Sequence, residues 1–369
     1  MGQDGHRYYS PMPFIAKADA EGFLASEWTA INKNEWVSPK SRISAAVAPE
    51  QTLRNVYPDF RGTRTTRTGA PLRRQTLDLY DRLMFRTLKD WLDVPLGEIT
   101  QEDFSKWYMK LQAEGKKTTA SKSYTLMRSV LSWAVEKKLL DKNPVFIKGG
   151  YASSTGRENE ILTEAQLRDV IGEIDPELKF AIQLMGYASL RFSEMCALQR
   201  KDIVIINGPE GEELLVNVDK AAAKVSKPGS STPGTKYEVV IGPPKSKMSK
   251  RLIAVHAGLI PAAKAHLENY VANSARALVF GTGPNRDEYM RYEFLEHRYT
   301  QAKKRAGHGE VNAPIHSLRK FGATEFANSG ANLTEISEWL GDGSIEAIKR
   351  YIKSNGRARH LANKMRFKE

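Results

Sequence analysis

Apolar positions in the first part of the chain repeat with a helical period. In residues 14–31, Ala20, Phe23, Leu24, Trp28 and Ile31 fall on one face, and Val37-Ser38-Pro39 closes the segment. Residues 38–50, rich in Ser, Ala and Pro, read as a linker. Arg73-Arg74-Gln75-Thr76 is expected to open a long helix with Leu77, Tyr80, Leu83, Met84, Leu88 and Leu92 on one face. Pro95-Leu96-Gly97 turns the chain, and Thr100 caps the next helix with Asp103 at the capping-box position. Residues 119–140 predict a further amphipathic helix, with Tyr124, Met127, Val130, Leu131, Ala134 and Val135 inward, and Asn143-Pro144 ends it.

Beyond a Gly- and Ser-rich linker around 149–157 the pattern changes. Thr163 and Gln166 form a second capping box, and 177–201 is mostly helical. Residues 203–206 and 213–218 are short β runs, and 224–235 is a loop of Lys, Pro, Gly and Ser. Residues 237–241 and 251–255 read as two strands flanking a basic turn, and the pattern from 258 onward is helical. The expected fold is mainly α with a small antiparallel β-sheet. Its expected parts are 1–50, an N-terminal remnant with a linker; 51–148, a helical domain; 149–157, a linker; and 158–369, an α+β domain with a C-terminal tail.

Charge narrows the function. The chain has 56 Lys+Arg against 43 Asp+Glu, a formal net charge of +13, which favours a polyanionic partner. Residues 61–89 and 116–128 carry much of the excess; Arg73, Arg74, Lys116, Lys117, Lys122 and Arg128 are the candidate contacts to a nucleic-acid backbone. The single cysteine, Cys196, excludes an internal disulfide, and the seven His have no metal-ligand spacing. A polar start with Pro11 and Pro13 does not make a signal peptide, and no apolar run approaches membrane length, so an intracellular protein with no membrane partner is expected.

The candidate chemistry is concentrated near the C-terminus. His316-Ser317-Leu318-Arg319 is followed by Leu340-Gly341-Asp342-Gly343-Ser344 and Arg350-Tyr351. His316 and Arg319 lie one helical turn apart and share a face. Ser344 is a candidate cap for a short helix with Ile345, Ile348 and Ile352 as its buried stripe; Tyr351 lies beside that stripe and, taken alone, reads as a core tyrosine. Upstream stand Leu190-Arg191-Phe192-Ser193-Glu194 and the basic turn Pro244-Lys245-Ser246-Lys247-Met248-Ser249-Lys250-Arg251. A phenol is a nucleophile, a guanidinium binds phosphate oxygens through a planar fork, and an imidazole moves a proton.

In this order the residues resemble the tyrosine recombinase, or phage integrase, family. The resemblance spans about residues 52–355 and is most specific in LRFSEMCALQRKDI, IHSLRKFGATEFANSG and WLGDGSIEAIKRYI. It implies a helical core-binding domain and an α+β catalytic domain that together clamp DNA. Residues 14–39 resemble the end of an arm-binding domain, of which only a shortened remnant of about 13 residues precedes the helix. By the same resemblance Tyr351 attacks the scissile phosphate and forms a 3′-phosphotyrosyl link. Arg191 and Arg319 hold the non-bridging oxygens, and His316 accepts a proton or hydrogen-bonds the phosphate. Lys247, with Lys245 as the alternative, protonates the 5′-oxygen, and Glu194 orients its neighbours.

Asp342 stands where the family usually carries His or Trp, so either it is turned onto a basic neighbour or activity is depressed. Neither metal nor ATP is required by such chemistry. The implied partners are double-stranded attachment-site DNA, three further copies of the chain, and accessory proteins of two kinds, an excision factor and a DNA-bending host protein. The implied setting is the cytoplasm of a bacterial host. The tail, with Leu361 and Met365 one turn apart, is expected to pack on a neighbouring copy. Two other readings share these residues: a type IB topoisomerase, and a DNA-binding protein of the same fold with weakened or lost catalysis.

Overall fold

The computed structural model describes residues 7–10, 13–38, 51–66, 68–152, 159–209, 211–227, 237–244 and 247–342. The chain divides into two compact units. One comprises Met1–Pro71 and Leu83–Ser153, the other Leu72–Arg82 and Ser154–Glu369.

Lys117–Glu136 is the central helix of the first unit. Its buried residues include Ala120, Tyr124, Met127, Val130, Leu131 and Ala134, which recur at three- and four-residue intervals. Leu53–Thr63 packs on it through Val56, Tyr57 and Phe60, and Gln101–Ala113 through Phe104 and Tyr108. The Thr100 hydroxyl accepts the Asp103 backbone N–H at 3.1 Å, which fixes the start of the latter helix.

Two expectations fail here. The N-terminal helix, Lys17–Asn32, forms, but Leu24 and Trp28 on its apolar face remain more than half exposed. Its one buried residue is Glu27, whose carboxylate accepts from Trp36 Nε1 at 2.6 Å. The long helix expected from Arg73 through Leu92 is also interrupted. It runs as an α-helix over Arg74–Arg82, widens into a π turn at Leu83–Thr87 and ends in a 3-10 turn at Lys89–Trp91. The Leu88 N–H bonds to the Leu83 carbonyl five residues back, at 2.8 Å. This shift buries Leu83, Met84, Leu88, Trp91 and Leu92 in the first unit. Arg74–Arg82 has no buried residue of its own and lies along a strand of the second unit.

In the second unit the capping box at Thr163 starts helix Glu164–Glu173, and Asp175-Pro176 starts helix Pro176–Tyr187. The latter is buried nearly all round, through Leu178, Phe180, Ala181, Ile182, Leu184 and Met185. Helix Ser317–Asn328 packs against it closely. A Cβ on Gly322 would stand 2.0 Å from the Gly186 carbonyl oxygen, so only glycine permits that approach.

The strands are β1 (Ile203–Gly208), β2 (Gly211–Val218), β3 (Ala221–Ser226), β4 (Tyr237–Gly242), β5 (Arg251–Val255), and the short pair β6 (Gly281–Thr282) and β7 (Glu288–Tyr289). They form antiparallel sheets ordered β1-β2-β5, β3-β4 and β6-β7. The segments 237–241 and 251–255 therefore do not belong to one hairpin. β4 pairs with β3, which includes the start of the expected 224–235 loop, and β5 pairs with β2. Pro243 and Pro244 lack the N–H groups a continuing ladder would need.

Candidate active site

Five charged side chains of the second unit converge at one place. Arg191 follows the Pro176–Tyr187 helix and caps the single turn Phe192–Met195. Glu194, in that turn, accepts the Arg191 backbone N–H at 3.1 Å and its Nη1 at 2.7 Å. The same carboxylate accepts Arg251 Nη2 at 3.1 Å. Glu194 is 2% exposed. Burial on its own would raise its pKa, but the charge and hydrogen bonds of Arg251, and then those of Arg191, hold it below the ordinary carboxylate value.

Arg319 lies on helix Ser317–Asn328 and is 1% exposed. Its Nη1 donates to the Ser189 carbonyl and its Nη2 to the Leu340 carbonyl at 2.8 Å. Ser189 has a φ of +51°, a left-handed conformation unusual for a residue with a side chain. That conformation accompanies a reciprocal contact, in which the Ser189 hydroxyl donates to the Arg319 carbonyl at 3.2 Å. The buried guanidinium is thus fixed by backbone carbonyls at both ends.

Asp342 completes the cluster. Its Oδ2 accepts Arg191 Nη2 at 3.0 Å and lies 3.7 Å from Arg319 Nη2. Its approach is set by the end of helix Leu333–Leu340, where Gly341 adopts φ +63°. The Ser337 hydroxyl donates to the Asp342 carbonyl at 2.6 Å, and the Ser249 hydroxyl donates to the Gly341 carbonyl at 3.0 Å. A Cβ on Gly341 would come within 2.9 Å of the Met248 oxygen and the Ser249 Cα. Gly341→Ala is therefore expected to lower unfolding stability by about 1–3 kcal/mol, read from a denaturant titration, because neither the φ nor the space suits a side chain.

His316 immediately precedes the Arg319 helix. It is an exposed residue, yet desolvation by its surroundings, then the charges of Arg319 and Arg191, lower its pKa below the usual imidazole value. At neutral pH the ring is largely neutral and able to accept a proton.

Of the residues singled out in the sequence, the structure brings together Arg191, Glu194, His316, Arg319 and Asp342. Lys247 opens the 3-10 turn Lys247–Ser249, next to Ser249, which bonds Gly341. The Lys247 side chain, all of Lys245, and Tyr351, with the helix and tail expected around it, lie outside the described residues.

Arg251 was not singled out for a role. It binds Glu194, donates from Nε to the Trp339 carbonyl at 2.8 Å and from Nη1 to the Ser249 carbonyl at 2.9 Å. It ties the Arg191 turn, the basic turn and the Asp342 helix together. The signal was strand parity: Arg251 shares the inward side of β5 with buried Ile253 and Val255, and an inward charge demands partners.

The candidate backbone-contacting residues differ in placement. Arg73 Nη2 donates to the Pro244 carbonyl at 2.6 Å, and Arg74 Nη2 donates to Ser226 O at 2.9 Å and Glu238 at 2.8 Å. Both belong to the second unit, contrary to their expected place in the helical domain. Arg128 donates to the Val145 carbonyl at 2.6 Å and lies over the Phe146 ring. Lys116 pairs with Glu114, while Lys117 and Lys122 are exposed on helix Lys117–Glu136. A cleft of about 450 Å³ beside the site is lined by Arg73, Arg191, Glu194 and the apolar wall of β3. A larger cleft, about 660 Å³, lies away from this chemistry, around His266 and Arg286.

The arrangement suits an oxyanion with a tetrahedral centre: two guanidinium groups meet at one oxygen, beside a neutral imidazole. Residues 160–357 match the phage integrase family, a span that reaches past Tyr351. The integrase of Mycobacterium phage L5 is 30% identical, over 98% of this chain and 92% of its own. The Tn1549 transposon integrase, solved with circular intermediate DNA, superposes with a TM-score of 0.66 at 18% identity, covering 85% of this chain and 99% of that one. The lambda integrase, solved as a tetramer on a Holliday junction, gives a TM-score of 0.59 at 15% identity, covering 95% and 90%. The chain belongs to the phage integrase family and is a tyrosine recombinase.

Proposed function

We propose that this recombinase integrates or excises a mobile element by cleaving and rejoining attachment-site DNA, with Tyr351 as nucleophile. The observation that carries this reading is the pair of guanidinium groups, Arg191 and Arg319, directed at one anionic oxygen. In the reaction the Tyr351 oxygen attacks phosphorus while His316, neutral beforehand, accepts the phenolic proton. The P–O5′ bond breaks, Lys247 or Lys245 gives the leaving oxygen a proton, and a 3′-phosphotyrosyl link and a free 5′-hydroxyl result. Arg191 and Arg319 stabilise the charge that grows on the non-bridging oxygens. The link conserves the phosphodiester energy, so a 5′-hydroxyl from another strand can reverse the steps.

Residues 51–148, apart from the segment 72–82, supply a helical DNA-binding region, and residues 158–369 supply catalysis and a tail for a neighbouring copy. Strands are exchanged in a tetramer, a state in which the lambda relative has been solved on a junction. An excision factor and a DNA-bending host protein set direction, and the work is done in the cytoplasm of a bacterial host. No described helix is long and apolar enough to cross a membrane.

The test uses a nicked suicide duplex bearing the element's core site, identified from element–chromosome junctions. Wild type is expected to form a DNA-linked species that survives denaturing gel electrophoresis, and Tyr351→Phe none. A wild type that binds the site without ever forming the adduct would sink the catalytic reading.

A further inference from the structure

Asp342 occupies a peculiar position for a carboxylate. Its carboxylate meets both Arg191 and Arg319 through one oxygen, Oδ2, at 3.0 and 3.7 Å. Glu194, the other acid of the cluster, is buried and pairs with Arg191 and Arg251. Asp342 is partly exposed, with 27% of its side chain accessible. Its placement is built rather than incidental, since Ser337, Ser249 and the left-handed Gly341 fix the turn that carries it.

A carboxylate and a phosphodiester each carry one negative charge and each accept guanidinium hydrogen bonds. Two such anions within a few ångströms of each other repel, and the repulsion is strong where water is partly excluded. Both cannot hold the same guanidinium donors at full strength.

From this geometry we infer that Asp342 is an internal stand-in for the scissile phosphate: it holds Arg191 and Arg319 in their working positions before DNA binds, and the phosphate must displace it. The inference rests on the reading of Arg191 and Arg319 as the phosphate clamp. It makes Asp342 a positioning residue with a cost in affinity at one phosphate of the duplex. That cost is specific: it concerns the charge on the scissile phosphate alone.

The experiment is run in a Tyr351→Phe background, so that binding is read without cleavage. Affinity is measured for two core-site duplexes, one natural and one with an uncharged methylphosphonate at the scissile position. Asp342→Asn removes the charge and keeps the size and an acceptor oxygen. It is expected to tighten binding of the natural duplex by roughly two- to fivefold, the scale of one partly exposed charge pair. Binding of the methylphosphonate duplex should be unchanged. Asp342→Ala must show the same selectivity for the natural duplex, which controls for local rearrangement in either variant. Equal shifts on both duplexes, no shift, or weaker binding of the natural duplex by both variants overturns the inference. These outcomes do not depend on adduct formation, so a failure of the cleavage reading would be seen separately, in the suicide-substrate assay. Absence of binding by the parent protein to either duplex would sink both.

Discussion

Arg319→Ala is expected to slow covalent-complex formation by roughly 10²–10³-fold, the scale of losing one preorganised donor to a developing oxyanion. It should also destabilise the fold. The side chain is almost fully buried and donates to the Ser189 and Leu340 carbonyls, so truncation strands two acceptors and opens a cavity. About 2–5 kcal/mol of unfolding stability should be lost. Single-turnover adduct rates, taken at a temperature where the variant is folded, and a denaturant titration separate the two effects. Arg319→Lys retains the charge without the planar fork, so it should recover part of the rate and little of the carbonyl bonding. A variant that is folded and cleaves like wild type would remove Arg319 from the clamp.

The second large effect concerns a side chain that is itself almost fully buried, Arg251. Arg251→Met leaves Glu194, 2% exposed, with Arg191 as its remaining guanidinium partner and removes the Arg251 hydrogen bonds to the Trp339 and Ser249 carbonyls. Breaking one side of a buried ion pair costs about 3–5 kcal/mol. The rate should fall roughly 10–100-fold, because Arg191 is held by Glu194 and Glu194 by Arg251. Adding Glu194→Gln neutralises the stranded acid. The double variant should regain part of the stability lost by Arg251→Met but none of the rate, since Arg191 still lacks its anchor. Restoration of rate with stability would show that Arg251 acts through folding alone.

The sequence made some of this architecture legible and concealed the rest for physical reasons. Helix Lys117–Glu136 and the caps at Thr100 and Thr163 were readable because local periodicity and local hydrogen bonds decide them. The break at Leu83–Thr87 was not, because the apolar spacing from Leu77 to Leu92 suits one continuous helix. The π turn begins where the segment passes from one unit to the other, a boundary that local spacing does not encode. The pairing of β5 with β2 was hidden because strand partners are tertiary choices, and a basic turn between two β runs suggests a hairpin from either side.

In the site, the order Arg191, His316, Arg319 marked residues that the fold brings together from positions far apart in the chain. The sequence could pose the question of Asp342 and could not answer it. The position of its carboxylate depends on Gly341 turning left-handed against the Ser249 turn. Arg251 was concealed among Lys245, Lys247 and Lys250, where a basic residue reads as part of a DNA-facing turn; strand parity alone sets it apart.

The most direct test of the central claim, that this cluster serves strand transfer by Tyr351, is chemical identification of the linkage. The covalent complex formed by wild type on a nicked suicide duplex is digested with protease and nuclease, and the modified peptide is sequenced by mass spectrometry. A nucleotide attached through phosphate to the Tyr351 oxygen is the predicted result. Attachment to any other residue, or a complex that forms equally well with Tyr351→Phe, would contradict the account.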